Sequence, residues 1–183
     1  MSGIKLYIAT TIDGYIARPN NQIDWLDKLP NPDKTDYGYH DFYAGIDTVV
    51  LGRKTYEEVL GFDVDWPYAQ CKTYVATTQK DYVLSTPNTE LLLSLNEETV
   101  QQLRAESQKA IWLVGGGELA AAFFRLHAID ELHLFIIPVM LGEGVPLFPG
   151  GEGEMWWRLK TSQSYGNGAV MLVYECIGPT PQQ

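Results

Sequence analysis

The chain contains 183 residues, 45% of them hydrophobic, which is enough for one domain with a substantial core. Its formal net charge of -10 excludes nucleic acid and anionic membrane surfaces as expected partners, because the long-range field of the protein would repel both. No apolar run reaches the length of a membrane span and the first residues lack the features of a signal peptide, so we expect a cytoplasmic protein.

Six short segments rich in β-branched and aromatic residues predict strands. Several are apolar throughout, which is typical of a sheet covered on both faces. In chain order the predicted strands are 5–10, 48–51, 72–77, 110–114, 131–139 and 169–176.

Four segments between these strands predict helices. The first two are 36–44 and 55–60, and Ser94 with Glu97 has the spacing of a capping box for a third helix that ends near Ser107. The fourth follows three consecutive glycines. Its apolar face is defined by three- and four-residue spacing of Leu119, Ala120, Phe123, Phe124 and His127.

Strands and helices alternate through the middle of the chain, whereas the last third is mostly strand and glycine-rich loop. This order predicts an α/β fold with a mixed sheet. We expect one domain over residues 1–178 and a disordered tail over 179–183.

The first predicted strand runs into Ile12-Asp13-Gly14-Tyr15. Asp-Gly is a strong hairpin signal. The turn therefore predicts a hairpin tip, a wall of a ligand cleft, or both.

Two later strand ends carry groups that suit phosphate. Gly52-Arg53-Lys54-Thr55 opens a helix with two cations and a hydroxyl, although Arg53 occupies the position where a Walker A loop needs glycine. Thr77 and Thr78 follow the next strand. Solvated surface charge is the alternative interpretation of the first segment.

The glycine run Gly115-Gly116-Gly117 lies between a strand and a helix. With Ala120 it matches a loose dinucleotide fingerprint, but that fingerprint needs an acidic residue about 20 positions further on, where Phe135 stands. A standard Rossmann unit is therefore not expected. Glycines and a helix N-terminus still suit a close anion, and a packed turn is the alternative. Together the three strand ends predict a site for a dinucleotide with an additional 2′-phosphate.

The chain resembles the dihydrofolate reductase-like superfamily, and within it the bacterial branch related to the reductase domain of the riboflavin-biosynthesis protein RibD. The resemblance rests on the segments IATTIDGYIA, VVLGRKTYE, VATT, WLVGGGELAAAFF and DELHLFIIPVMLGEGVPLF, which together span nearly the whole chain. It implies a three-layer αβα fold with a central mixed, mostly parallel sheet, a bound NADPH, and a homodimer.

The resemblance also implies roles for individual residues. Arg53, after Gly52, would face the 2′-phosphate, and Thr77 and Thr78 would lie near the adenosine. The pyrophosphate would lie near Lys54, Thr55, Gly115, Gly116, Gly117, Glu118 and Leu119. Ala9 and Ile16 would flank the nicotinamide. The bond between Gly115 and Gly116 is predicted to be cis, as in dihydrofolate reductases.

On the substrate side the expected residues are Asp13, Trp25 and Phe42. Tyr37, Tyr39, Trp66 and Asp41 are further candidates for lining an apolar cleft. Gly38 stands where dihydrofolate reductases carry their catalytic carboxylate, so Asp41 and Asp36 are the remaining candidates for an acid.

The expected function is therefore that of an NADPH-dependent reductase of a small heterocyclic or carbonyl substrate. A riboflavin-pathway ribosylamino-pyrimidine is the specific candidate, with an activity like that of 5-amino-6-(5-phosphoribosylamino)uracil reductase. The alternatives are a non-catalytic NADPH-binding sensor or dimeric scaffold, and a dihydrofolate reductase. We expect no metal site, because neither the histidines nor Cys71 and Cys176 have ligand spacing.

Overall fold

The computed structural model describes residues 2–62, 64–151 and 153–179. The strands are β1 (Ile4–Thr11), β2 (Tyr15–Ala17), β3 (Ile46–Gly52), β4 (Lys72–Ala76), β5 (Thr89–Leu92), β6 (Ala110–Gly115), β7 (Glu131–Ile137), β8 (Val145–Pro146), β9 (Trp156–Ser164) and β10 (Val170–Gly178). The helices are α1 (Asp24–Asp27), α2 (Tyr39–Ala44), α3 (Arg53–Leu60), α4 (Glu97–Glu106) and α5 (Gly117–Arg125). Apart from Pro179, the predicted tail lies outside the described residues.

The fold is built on an 8-stranded sheet with the order β5-β4-β3-β6-β1-β7-β10-β9. The strands from β5 to β7 run parallel, and β10 and β9 complete the sheet in antiparallel pairs. β2 and β8 form a separate two-stranded sheet. The prediction of an α/β fold with a mixed, mostly parallel sheet is confirmed.

Helices cover both faces of this sheet because its central strands are apolar on both sides. On one face, Phe123 and Phe124 of α5 and Leu103 of α4 pack in a core with Leu6 and Leu113. On the other face, α1, α2 and α3 cover two further clusters, and Tyr7 contacts both of these. The three layers implied by the resemblance are therefore present.

Several helices differ from the predictions: α1 was not predicted, α2 begins at Tyr39 rather than at residue 36, and α3 begins at Arg53 rather than at Thr55. α4 is capped by Asn96 and Thr99, which form the reciprocal capping box, rather than by Ser94 and Glu97. α5 ends at Arg125, so His127 is not on its apolar face as predicted. His127 is exposed, with a φ of 50°, in the turn that follows.

The strands that sequence patterns missed are short or lie at an edge. β5 covers 4 residues, β2 covers 3 and β8 covers 2, which leaves little periodicity to detect. β9 is longer, but it forms an edge of the sheet and nearly all of its side chains are exposed. Among the described residues, no helix is long and apolar enough to cross a membrane.

Candidate active site

Three of the predicted phosphate-binding segments meet at one edge of the sheet. β4, β3 and β6 are neighbours, with Gly52 in register with Ala76 and Leu51 in register with Gly115. Because these strands are parallel, the residues that follow them emerge side by side at their carboxyl ends. Open α/β sheets bind their ligands at this edge.

The glycine turn after β6 and the start of α3 are in direct contact. The backbone N–H of Gly116 donates a hydrogen bond of 3.2 Å to Oγ1 of Thr55. A Cβ atom at Gly116 would lie only 3.4 Å from the same oxygen. The two segments are 61 positions apart in the sequence, and this hydrogen bond joins them beside the paired strands β3 and β6.

The prediction of a cis bond between Gly115 and Gly116 is wrong, because the bond is trans. The chain reverses direction through the backbone dihedral angles of the glycines. Gly115 has a φ of 134°, which residues with a side chain rarely adopt, and Gly116 follows with φ -41° and ψ 168°.

The two helices that begin at this edge have no side-chain caps. Neither Gly52, before α3, nor Gly116, before α5, provides a capping side chain, in contrast to Asn96 before α4. The amide groups of a first helical turn have no partner inside the helix. The N-termini of α3 and α5 therefore offer N–H donors and a partial positive charge to an anion.

Arg53 provides a cation at the start of α3. Its guanidinium lies 2.6 Å from a carboxylate oxygen of Glu57 and 5.9 Å from the centre of the Tyr82 ring, and 28% of the side chain is exposed. Glu57 would compete with a phosphate for this group. Lys54 and Thr78 are exposed, whereas Oγ1 of Thr77 accepts a hydrogen bond from the Gln79 amide.

The small sheet of β2 and β8 covers the start of α5. A Cβ atom at Gly117 would lie 3.4 Å from the side chain of Ile16 and 3.3 Å from the carbonyl oxygen of Pro146. At Gly144, just before β8, a Cβ atom would lie 2.3 Å from the carbonyl oxygen of Ala17. Glycine is therefore required at position 144 for this close approach.

Asp13 connects the turn after β1 to the loop before β8. Its carboxylate accepts hydrogen bonds from the hydroxyl of Thr11 at 2.5 Å and from the backbone of Leu141 and Gly142 at 3.1 and 2.7 Å. These hydrogen bonds, that of Thr11 first, hold the pKa of Asp13 below its ordinary value. Gly14 turns the chain at a φ of 83°, but β2 pairs with β8 rather than forming a hairpin with β1.

A gap opens between β1 and β6 towards their carboxyl ends. The two strands pair only over Ile4, Leu6 and the residue between them, whereas β1 stays paired with β7 as far as Thr11. Ala9 lies in the part of β1 that has left β6. The gap thus adjoins the glycine turn on one side and Ala9 on the other.

Beside Ala9 there is a cavity of about 270 Å³. Leu26 of α1, Leu29 after it, and Phe135 and Ile137 of β7 supply most of its apolar wall. The polar residues in the wall are Tyr7, Asn31 and Tyr37.

Two of these polar side chains are occupied by contacts within the protein. The Asn31 side chain donates to the carbonyl and accepts from the amide of Thr35, at 2.8 and 3.0 Å. The hydroxyl of Tyr37 accepts a hydrogen bond of 2.6 Å from Asn167, which also donates to the carbonyl of Pro30. The loop over the cavity is thereby tied to the turn between β9 and β10.

None of the predicted substrate residues Asp13, Trp25 and Phe42 is among the described residues that line this cavity. Trp25 is buried, with 3% of its surface exposed, and its indole N–H has no hydrogen-bond partner within the described residues. Phe42 lies behind Tyr7, with 4.4 Å between the two ring centres. Of the other aromatic candidates, Tyr37 lines the cavity, whereas Trp66 packs in a different cluster with Tyr56.

The two predicted carboxylates are on or near α2. Asp36 is exposed and accepts hydrogen bonds of 3.0 Å from the amides of His40 and Gly38, which keep its pKa below the ordinary value. Asp41 is exposed on α2. Neither residue lines the cavity.

Sequence reasoning missed several residues of the cavity, namely Tyr7, Leu29, Asn31, Phe135 and Ile137. Tyr7 alternates with Ala9 along β1, and Phe135 is opposite Ala9 in the register of β1 and β7. The alternation was a usable signal for Tyr7, because residues two apart on a strand share one face. Only the pairing of the strands identifies Phe135.

Comparison with known proteins agrees with this architecture. The family described as RibD C-terminal domain matches residues 3–171. The Bacillus subtilis (strain 168) protein YwjB is 40% identical over 172 residues, which are 92% of this chain and 95% of YwjB.

Solved structures show the same fold. A protein of Shewanella sp. PV-4 provisionally assigned to riboflavin biosynthesis superposes with a TM-score of 0.83 at 29% identity, over 96% of this chain and 99% of the other. Dihydrofolate reductase from Enterococcus faecalis, in complex with NADP(H), superposes with a TM-score of 0.67 at 17% identity, over 96% of each chain.

Proposed function

Since the chain belongs to the RibD C-terminal domain family, we propose that it is an NADPH-dependent reductase. It transfers hydride to a small heterocyclic or carbonyl substrate. The family supports an oxidoreductase in general, and the dihydrofolate reductase fold is one that holds NADP(H) in the Enterococcus structure.

The observation that carries the proposal is the contact between Gly116 and Thr55. It brings two uncapped helix N-termini together beside the guanidinium of Arg53. In a protein with a net charge of -10, such a local concentration of donors and positive charge suits a ligand with several phosphates.

In the proposed complex, each part of NADPH would have its own residues. Arg53 would bind the 2′-phosphate in place of its contact with Glu57, and Thr77 and Thr78 would lie near the adenosine. The pyrophosphate would take N–H groups from the first turns of the two helices, namely those of Lys54, Thr55, Gly117, Glu118 and Leu119. Ala9 and Ile16 would flank the nicotinamide at the gap between β1 and β6.

Bound NADPH would supply the hydride, and the protein would orient the nicotinamide and the substrate relative to each other. The chain has to hold a carbon of the substrate against the nicotinamide and exclude competing orientations. The cavity beside Ala9 is suited to this task, because it adjoins the gap and its wall is mostly apolar. A ribosylamino-pyrimidine of riboflavin biosynthesis is the specific substrate candidate. We further propose a homodimer, as the family resemblance implies, and a cytoplasmic location, as the sequence features predict.

A sensor or scaffold that binds NADPH without turnover is the second candidate. It is favoured by the state of the carboxylates, since Asp36 is engaged by backbone amides and neither it nor Asp41 lines the cavity. The same observation makes dihydrofolate reduction a weaker alternative, because that reaction uses a carboxylate in the substrate site.

Thermal unfolding with NADPH and with NADH tests the cofactor. A ligand at 100 times its dissociation constant stabilises the folded state by about 2.7 kcal/mol. We expect both nucleotides to raise the unfolding temperature, and NADPH to do so at lower concentration. No increase with either would refute the proposal.

The Arg53→Ala variant tests how the 2′-phosphate is recognised. Hydrogen bonds to charged groups contribute about 1.5–3 kcal/mol, so the affinity for NADPH should fall by roughly tenfold to a hundredfold while that for NADH changes little. Arg158→Ala is the matched control, because Arg158 forms an exposed pair with Glu175 on β9 and β10. An unchanged preference for NADPH in Arg53→Ala would show that another group reads the phosphate.

Turnover separates a reductase from a sensor. Loss of reduced-nicotinamide absorbance is followed with pterin, dihydrofolate and ribosylamino-pyrimidine substrates. Oxidation of NADPH with a member of this panel supports the enzyme, and tight NADPH binding without oxidation across the panel supports the sensor.

A further inference from the structure

Within the part of the chain that the structure describes, the wall of the cavity beside Ala9 carries no charged side chain. None of the described residues that line it is Lys, Arg, His, Asp or Glu. A phosphate group would therefore find no counter-charge there, although phosphate sites in proteins depend on Arg, Lys or free N–H groups. The uncharged wall therefore disfavours a phosphorylated substrate for the proposed reductase.

Two of the cations near the wall in the sequence are paired with a carboxylate, and a third lies outside the wall. Arg18 and Lys28 flank α1, which contributes Leu26 to the wall, and both bind the carboxylate of Asp24, at 2.5 and 2.7 Å. Lys34 is exposed in the loop after Asn31 but is not part of the wall. The charge of Asp36 acts on the hydroxyl of Tyr7, which places a negative charge near the cavity.

Tyr7 has a rigid ring and an available hydroxyl. Its ring centre lies 4.4 Å from that of Phe42, 4.9 Å from that of Phe135 and 5.9 Å from that of Trp112. Within the described residues its hydroxyl makes no hydrogen bond, unlike the side chains of Asn31 and Tyr37. Burial raises the pKa of this phenol, so it remains a protonated donor across the neutral range.

Building on the proposed reductase activity, we propose that the substrate of this cavity is a planar, uncharged ring without a phosphate, and that Tyr7 donates a hydrogen bond to it. A cavity of about 270 Å³ has room for one or two fused rings. Aromatic and aliphatic walls suit such a ring, and a single phenol provides its orientation.

The proposed reaction is the reduction of a C=O or C=N group of the ring by hydride. Hydride leaves the dihydronicotinamide carbon with its electron pair and bonds to the carbon of a C=O or C=N group. The π pair of that group moves onto the oxygen or nitrogen, which takes a proton from water, and NADPH becomes NADP+. Tyr7 donates its hydrogen bond to this oxygen or nitrogen, where negative charge develops, and keeps its own proton.

A matched pair of substrates tests the charge of the ligand. Turnover is measured with a ribosylamino-pyrimidinedione and with its 5′-phosphate, and lumazine and menadione serve as planar rings without a sugar. We expect kcat/KM for the unphosphorylated compound to equal or exceed that for the phosphate. A higher kcat/KM for the 5′-phosphate than for the unphosphorylated compound overturns the proposal. A fall in kcat/KM in Lys34→Ala that affects only the phosphorylated compound also overturns it.

If no compound is turned over, ligand binding is measured instead to test the proposal. Unfolding temperatures are measured with NADP+ present and each of the four compounds added. We expect at least one uncharged ring to raise the unfolding temperature, and this effect to be lost in Leu26→Trp, because Leu26 lines the cavity and is not among the proposed cofactor residues. If none of the uncharged rings raises the unfolding temperature, the proposal is overturned. If NADPH itself does not bind, the proposed function is refuted instead.

Removal of single tyrosine hydroxyl groups tests whether Tyr7 donates a hydrogen bond to the substrate. Tyr7→Phe removes only the hydroxyl, and we expect roughly a tenfold loss in kcat/KM, or in affinity for lumazine where there is no turnover. Tyr39→Phe is the control, because Tyr39 belongs to the same aromatic cluster but does not line the cavity. NADPH affinity should be unchanged in both variants. Equal behaviour of the two variants towards substrate would show that the Tyr7 hydroxyl is not the donor.

Discussion

Replacement of Thr55 by valine tests whether the contact between the glycine turn and α3 organises the cofactor site. Valine has nearly the same shape as threonine, so the change removes the acceptor oxygen without opening a cavity. The N–H of Gly116 would lose its hydrogen bond of 3.2 Å in a half-buried position. Loss of such a bond costs about 1–2 kcal/mol when the donor is left partly desolvated.

For a chain of this size, each kcal/mol lowers the unfolding temperature by about 2–4 °C, so Thr55→Val should unfold roughly 2–8 °C below the wild type. The affinity for NADPH should also fall, roughly fivefold to tenfold, because the ligand must then order two segments that the hydrogen bond no longer holds together.

Thr55→Ser is the matched control, since it keeps the hydroxyl and loses only a methyl group. Differential scanning calorimetry gives the unfolding temperatures, and titration of NADPH gives the affinities. Serine should retain the NADPH affinity of the wild type. If the valine and serine variants unfold at the same temperature and bind NADPH equally, the hydrogen bond does not organise the site.

Two further predictions concern stability, one at the loop before β8 and one at the start of β7. Gly144→Ala should lower the free energy of unfolding, measured by chemical denaturation, by about 1–3 kcal/mol, because the new Cβ would lie 2.3 Å from the carbonyl oxygen of Ala17. Gly166→Ala is the control and should have little effect, because a Cβ at position 166 would face open space. Glu131→Gln should cost about 1.5–3 kcal/mol at neutral pH, because this carboxylate contacts His133 at 2.5 Å, Lys160 at 2.7 Å and Lys5 at 3.1 Å. These contacts, that of His133 first, hold the pKa of Glu131 below its ordinary value, so the stability that it contributes is present above about pH 4.3 and is lost as the pH falls below that. A wild-type advantage that persists undiminished in strong acid would contradict this reasoning, and Glu175→Gln in an exposed pair is the control.

Five of the six parallel strands, β1, β3, β4, β6 and β7, were predictable because each is a short run rich in apolar and β-branched residues, whereas β5, with 4 residues, was missed. The pattern failed at β9, since an edge strand with exposed side chains has no buried face to mark it. It also failed at the start of α4. Ser94 with Glu97 and Asn96 with Thr99 both have the spacing of a capping box, and only the path of the backbone decides between them.

The glycine turn shows a different limit of sequence reasoning. Consecutive glycines predict a tight turn from strand to helix, which is present. They do not determine whether the chain turns through a cis bond or through a positive φ, because glycine permits both. The trans bond with a φ of 134° at Gly115 could therefore not be derived from composition or from the resemblance.

The cofactor side and the substrate side of the site differ in how the sequence encodes them. Backbone N–H groups at helix starts are specified locally, by a strand, a glycine and a helix in succession, and they were found from the sequence. The cavity wall instead combines side chains from β1, α1, β7 and a loop, and Asn167 holds that loop from the far end of the sheet. Substitutions in these distant segments can reshape the cavity without touching the edge that is proposed to bind phosphate. Under the proposed function, variants of Tyr7 and Asn167 should therefore alter substrate selectivity at constant NADPH affinity.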